Sequence, residues 1–157
     1  MHIYKNRLLD IHLQECNAFM DNSSKCFLYK HIVQSDFCKM QPFLTKHFQS
    51  NLKKHISRIR LSSHYLNIEC GRYQGKSRND RICDVCDSHQ IEDEFHFIFQ
   101  CPRYLNLRKK YINEYYYKSP STFKLIQLLS TNRISTLVGL GKYIQHALTL
   151  RNEYLSG

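Results

Sequence analysis

Four metal-binding side chains in one short stretch constrain this chain more than any other feature of its sequence. Cys83, Cys86, His96 and Cys101 follow the spacing C-x2-C-x9-H-x4-C. Two residues between the first thiols let the backbone turn tightly around an ion. The second half fits a short helix that donates His96 and ends before Cys101. Zn²⁺ binds thiolate and imidazole in a tetrahedron, and four protein ligands leave no position open for water. The spacing therefore predicts a structural zinc site that stabilises the fold and does not catalyse a reaction.

Two other interpretations of this stretch are open. Asp87 and His89 lie in the loop after the second thiol and could replace one ligand, although a His three residues after Cys86 would make a cramped site. The four side chains could also be buried without a metal, because free Cys is among the most buried residue types. The spacing is typical of zinc sites, and it favours the first set of ligands.

Length and cysteine usage indicate one intracellular domain. A chain of 157 residues can bury about two thirds of its unfolded surface, but 42% hydrophobic residues and no Trp predict a modest core that a metal would support. Four thiols outside the predicted site show no disulfide-like pairing, which favours a reducing compartment. They are Cys16, Cys26, Cys38 and Cys70. The amino terminus has no apolar signal region and no run of about 18 apolar residues occurs, so we expect no membrane association and a nuclear or cytoplasmic location.

The net charge of +10 is distributed unevenly along the chain. Residues 46–81 contain nine Lys or Arg against two acids, residues 82–94 contain five acids and no Lys or Arg, and the chain becomes basic again after Cys101. Basic segments on both sides of a metal site are typical of a protein that binds the phosphate backbone of RNA or DNA. For any single cation, a solvated helix face is the alternative. The predicted phosphate contacts are Lys53, Lys54, Arg58, Arg60, Arg72, Lys76, Arg78, Arg81, Arg108 and Lys109.

Hydrophobic periodicity predicts a mainly α protein, a small helical domain organised around the zinc knuckle, which we define as residues 83–101. We expect amino-terminal helices in residues 1–45. A basic helix, a loop and the knuckle should follow in 46–118, with further helices in 119–157, all packing as one domain. At most a short β piece is expected near 64–73 and 81–86, where the helical period is lost.

Apolar spacing and capping residues divide the amino-terminal half into three predicted helices. The first carries a weak apolar stripe that includes Leu8, Ile11 and Phe19. Ser24 and its neighbours offer a cap for the second helix. Pro42 should begin the third, because proline is well tolerated at the first position of a helix.

The carboxy-terminal half contains the predicted ligand helix and two closing helices. Residues 91–100 should carry His96, with three acids in the first turn, where the helix dipole favours them. Ser119 is expected to cap a helix that starts at Pro120. In the last helix, Gly139 and Gly141 should either weaken the middle or allow a close helix contact.

Residues 58–112 carry several motifs in a recognisable order. They are R-x-R-L at 58–61, H-x-L-x-I-E-x-G-R-Y at 64–73, R-x-x-R-x-C-x-x-C at 78–86, E-D-E-x-H-F at 92–97 and C-P-x-Y at 101–104. Together they resemble the carboxy-terminal zinc-knuckle region of non-LTR retrotransposon reverse transcriptases. The resemblance implies a region downstream of a polymerase that helps to hold template RNA or target DNA. It also implies zinc binding by Cys83, Cys86, His96 and Cys101.

The enzymatic parts of such proteins are not expected here. A chain of this length cannot hold a polymerase, and a metal-dependent nuclease needs clustered carboxylates. Glu114 and Glu153 are the only acids after Cys101. We therefore predict a non-catalytic nucleic-acid-binding module with zinc as its cofactor. The alternatives are a zinc-stabilised protein-interaction module, with residues 111–117 and the last helix as its partner surface, and a decayed mobile-element reading frame without a function of its own.

Overall fold

Helices dominate the described part of the chain, which confirms the predicted mainly α fold. A computed structural model describes residues 2–23, 25, 27–33 and 40–157. The α-helices in these ranges are α1 (His2–Asn22), α2 (Phe27–Val33), α3 (Pro42–Thr45), α4 (Ser50–Arg60), α5 (Asn67–Tyr73), α6 (Leu105–Tyr111), α7 (Glu114–Tyr117), α8 (Thr122–Ser130) and α9 (Ile134–Ser156). A π-helical turn occupies His96–Gln100, and 3₁₀ turns occupy Arg78–Asp80 and Pro102–Tyr104. Ser24, Cys26 and Cys38 lie outside the described residues.

The β pairing in the described residues is limited to one antiparallel bridge between Ile82 and Ile91. This bridge places Ile82 in one of the two expected ranges, 81–86, whereas in the other range, 64–73, Asn67 begins α5 and no strand forms. Glu92 explains this difference. Its Oε2 accepts the backbone N–H of Asn67 at 2.7 Å and its carbonyl accepts that of Ile68 at 3.1 Å. A residue distant in sequence thus satisfies the donors at the helix start, which every α-helix leaves unpaired.

Two predicted helix starts need different corrections. Pro42 does begin a helix, but α3 ends at Thr45 and a separate helix, α4, begins at Ser50. The cap of α8 is Ser121 and not Ser119, since the Ser121 side chain accepts a hydrogen bond from the backbone N–H of Lys124. Ser, Thr, Asp and Asn all satisfy such donors, so the local sequence offered more than one cap of similar quality.

The core is one connected cluster that extends from Leu28 to Ala147. Helix α9 packs against α4 and α6, and α2 packs against α8. Two glycines of α9 permit these close contacts. A Cβ atom added at Gly139 would lie 2.4 Å from the carbonyl oxygen of Tyr111, and one at Gly141 would lie 2.6 Å from Cβ of Leu52. The glycines therefore serve close helix contact, as one of the two sequence interpretations expected.

Helix α1 is peripheral and packs against α2. The predicted apolar stripe is largely exposed: the exposed fractions are 67% for Leu8, 45% for Ile11 and 69% for Phe19. Met20, near the end of the helix, is buried. Among the described helices, none combines the length and the hydropathy that crossing a lipid bilayer requires.

Candidate metal centre

The structure brings together the four side chains that the spacing selected. Cys83 and Cys86 follow the Ile82–Ile91 bridge, His96 begins the π-helical turn, and Cys101 comes directly after it. All four are buried, and their ligand atoms lie within 4.8 Å of one another. Asp87 and His89 are exposed and stand outside this cluster. The structure thus supports the first ligand set and not a set in which Asp87 or His89 replaces one of the four residues.

The size of the cluster fits one zinc ion. The Cys86 Sγ and His96 Nε2 atoms are 3.4 Å apart. Bonds of about 2.3 Å to sulfur and about 2.0–2.1 Å to nitrogen, at tetrahedral angles, place sulfur and nitrogen about 3.6 Å apart. The four side chains can therefore bind an ion with little movement, and the resulting site would be closed.

A π-helical turn explains why the spacing between His96 and Cys101 works. Residues five apart in an α-helix differ by about 140° in direction, so their side chains lie on different faces. Here the backbone N–H of Cys101 bonds to the carbonyl of His96 at 2.8 Å, which closes a turn of five residues. One full turn now separates the two ligands, and both face the centre.

The ligand helix starts later than the sequence predicted. Residue 91 belongs to the bridge and Glu92 precedes the helix, so these residues do not form a first turn. Asp93 acts as a cap, because its Oδ1 accepts the backbone N–H of His96 at 2.9 Å. Only Glu94 of the three acids is helical. The pairing of residue 91 with Ile82 holds the chain extended to that point.

Gln90 fixes the orientation of the His96 ring. Its Oε1 lies 3.1 Å from His96 Nδ1, and an amide oxygen can only accept. When Nδ1 donates to this oxygen, Nε2, which lies 3.4 Å from Cys86 Sγ, keeps its lone pair for a metal. Metal-binding histidines commonly have such an outer partner. The sequence analysis did not identify Gln90 as a site residue, because Gln has many uses in a loop and no spacing rule distinguishes this one.

The pKa values of the thiols determine how metal binding depends on pH. A hydrogen bond with Cys101, together with burial, raises the pKa of Cys83 to about 12. The same hydrogen bond lowers the pKa of Cys101. Without a cation, Cys83 therefore keeps its proton at neutral pH. Because thiolates are the ligands, binding of a metal must release protons and must strengthen as the pH rises.

A buried ion pair attaches the centre to α9. Arg151 donates from Nε and Nη2 to the two oxygens of Glu92, both at 2.7 Å, and both side chains are at most 6% exposed. Asn67 joins this pair and also donates to the carbonyl of Ile82 and to Asp84, both at 2.7 Å. The knuckle is thereby connected to the start of α5 and to the last helix.

The structure corrects the assignment of two predicted phosphate contacts. Arg60 is 4% exposed, bonds to Gln41 and lies 4.4 Å from the ring centroid of Phe43. Arg108 is 3% exposed and donates to the carbonyls of Ile98 and Cys101 at 2.8 and 2.9 Å. Both guanidinium groups are buried and bond within the protein, so a phosphate cannot reach them. Arg108 stabilises the end of the π-helical turn.

The other eight predicted contacts divide by how their cations are used. Three bond to other groups of the protein: Arg72 bonds to Glu69, Arg81 donates to the carbonyls of Ile68 and Lys76, and Lys53 donates to the carbonyl of Leu44. Arg78 is 64% exposed and lies 3.7 Å from Asp93. The remaining four are at least partly exposed and have no salt bridge within the described chain. They are Lys54, Arg58, Lys76 and Lys109.

No protein-family model, curated protein or solved structure matches this chain. The chemistry of the centre therefore follows from its own donor atoms. Three sulfurs and one imidazole nitrogen, all buried, are a soft donor set that suits zinc. Because all four tetrahedral positions would be filled, such a centre can stabilise the fold but offers a substrate no place to bind.

Proposed function

We propose that this chain is a zinc-stabilised, non-catalytic module that binds RNA or DNA through the phosphate backbone. It would be of the kind found at the carboxy-terminal end of non-LTR retrotransposon reverse transcriptases. The observation that carries the proposal is the buried cluster of Cys83, Cys86, His96 and Cys101, whose ligand atoms lie within 4.8 Å of one another. Zinc bound by these four residues would stabilise a domain whose hydrophobic core is modest.

Surface charge supports the nucleic-acid part of the proposal. The chain carries 23 Lys and Arg against 13 acids. Many acids are engaged internally, as Glu92 is by Arg151 and Glu94 by His64. Among the described residues, exposed cations such as Lys76 and Lys109 have no salt bridge to a carboxylate, which favours attraction of a polyanion.

Metal analysis of the purified protein tests the zinc part. We expect one zinc per chain, and we expect Cys83→Ser and Cys101→Ser to lose the metal and most tertiary structure. Cys16→Ser is the matched control, because this thiol lies in α1, away from the cluster, and the variant should keep both. A metal-free protein that is fully ordered would contradict the proposal.

Titration of a labelled single strand tests nucleic-acid binding. Log affinity should fall linearly with log salt, by about 0.7 per phosphate contact for a single strand. We expect Lys76→Ala/Arg78→Ala to make that slope shallower, as measured by fluorescence anisotropy at several salt concentrations. Binding that is undetectable, or that does not depend on salt, would remove this part of the proposal.

A zinc-stabilised protein-interaction module is the second candidate, and the exposed apolar side chains of α1 favour it. Tyr4, Leu8 and Phe19 are 78%, 67% and 69% exposed. Surfaces with several exposed large apolar side chains commonly mark contact sites. Partner capture that survives nuclease treatment and high salt, and that Leu8→Ser/Phe19→Ser abolishes, would favour this candidate over nucleic-acid binding.

A further inference from the structure

Two cavities lie beside the start of α9, on a surface that the predicted phosphate contacts do not include. One, of about 330 Å³, is lined by Lys110, Tyr111 and Arg133 among others. The second, of about 520 Å³, is lined mainly by polar residues that include Gln127, Ser130 and Thr131. Arg133 and Thr136 line both cavities. We call these two neighbouring cavities together the α9 groove.

The chain segments that build the α9 groove carry mostly positive charge. Residues 102–136 contain seven Lys or Arg and a single acid, Glu114. Neither cavity is lined by Asp or Glu. Glu114 is 3.5 Å from Lys118, while Lys110 and Arg133 have no salt bridge within the described residues. Lys110 Nζ lies 5.1 Å from the centroid of the Tyr111 ring, a contact that a cation can keep while it binds an anion. Neither cation that lines the groove is therefore neutralised by a carboxylate of the described residues.

The uncharged lining also suits a phosphate backbone. Thr131, Ser135 and Thr136 place hydroxyl groups along the walls, and hydroxyls are common donors to phosphate and sugar oxygens. The hydroxyl of Ser130 donates its own proton to the carbonyl of Ile126. The Tyr111 ring already stacks on His146, with centroids 5.4 Å apart and planes 4° from parallel. The groove thus offers cations and hydroxyls more than a free aromatic face for a base.

We propose that the α9 groove binds the sugar–phosphate backbone of single-stranded nucleic acid, with Lys110 and Arg133 as phosphate contacts. This rests on the proposed function and adds a second set of phosphate contacts to the exposed cations near the knuckle. A concave wall receives one strand, whereas a duplex is usually read by an element that projects into its groove. Since the contacts reach phosphate and sugar and not the bases, binding should show little sequence preference.

Charge-removal variants test the groove with labelled single strands of about 15 nucleotides, a length within the range that single-strand-binding sites cover. Lys110→Ala/Arg133→Ala should weaken binding about tenfold and reduce the salt slope by about 1.4, the value for two phosphate contacts. Lys110→Arg/Arg133→Lys should bind like the original protein. Circular dichroism and thermal melting would show that all variants are folded.

A matched control removes the same charge elsewhere. Lys46 and Lys142 line neither cavity, and Lys46→Ala/Lys142→Ala should change the affinity less than twofold. An equal loss in both pairs would mean that only net charge matters, and it would overturn the groove. Tighter binding of a duplex, or a groove variant that loses binding to anionic lipid vesicles but not to RNA, would overturn it as well.

The two proposals fail in different ways. If the unmodified protein binds no nucleic acid at any salt concentration, both the proposed function and the proposed role of the groove are contradicted. If the protein binds with a normal salt slope and Lys110→Ala/Arg133→Ala has no effect, the groove alone is overturned. The strand would then contact the exposed cations near the knuckle, Lys76 among them.

Discussion

Helix α1 and the knuckle are of similar length, yet different forces hold them in place. α1 is a regular helix of 21 residues whose larger apolar side chains are mostly exposed, and it packs against α2. The knuckle has one bridge and one short π-helical turn, but its four ligand side chains are buried and Glu92 bonds to a residue 59 positions away. Regular secondary structure is therefore a poor guide to where stability resides. Contacts between distant residues decide it.

Metal removal should produce the largest difference between the two regions. Binding at structural zinc sites contributes about 10–16 kcal/mol in small peptides, which exceeds the stability of most domains. We expect a chelator to abolish hydrogen-exchange protection at the backbone N–H groups of Cys83 and Cys101. Exchange in α1 should change little. Protection that persists in the knuckle after zinc is removed would show that packing alone holds it.

Breaking the buried ion pair should have the next largest effect. Arg151→Met leaves the Glu92 carboxylate buried without its partner, so the free energy of unfolding should fall by about 3–5 kcal/mol. The control is the exposed pair of Lys30 and Asp21, which are 30% and 70% exposed. Asp21→Asn should change stability by less than about 1 kcal/mol in urea unfolding. Similar losses in both variants would contradict the contrast between the regions.

A smaller effect is expected where α9, which carries Arg151, passes α6. Gly139→Ala places a Cβ atom against the Tyr111 carbonyl, which belongs to the backbone and cannot rotate away. Overpacking of this kind costs about 1–3 kcal/mol. The sign is informative, because the same change in an open helix is favourable by up to about 1 kcal/mol. A higher melting temperature for Gly139→Ala would show that the two helices can separate there.

The smallest effect should come from α1. Leu8→Ala removes a side chain that is 67% exposed, so stability should stay within about 0.5 kcal/mol. The matched change in α9, Leu137→Ala, removes a fully buried side chain and should cost about 2–5 kcal/mol. Thermal melting of both variants compares them directly. A large loss from Leu8→Ala would mean that its face is covered in solution.

The sequence predicted much of the metal centre and little of its surroundings. Ligand spacing is local, so three thiols and an imidazole within 19 residues could be recognised without a fold. Gln90, Arg108 and Arg151 could not, because each becomes part of the centre only through contacts with particular atoms. For the same reason, the sequence could not show which of the predicted phosphate-binding cations are buried and which are on the surface. Nothing in the sequence distinguishes Arg60, which is buried over Phe43, from Lys54 on the surface of the same helix.

By itself, the sequence determined the helical class, the composition of the ligand set and the excess of positive charge. These properties depend on residue type and on short spacings, which the chain carries before it folds. Tertiary structure alone decided that Glu92 would start α5 and pair with Arg151, and that Arg60 and Arg108 would be interior. It also placed Lys110 and Arg133 along one groove. The physical reason is that burial and hydrogen bonding between distant residues exist only once the helices have packed.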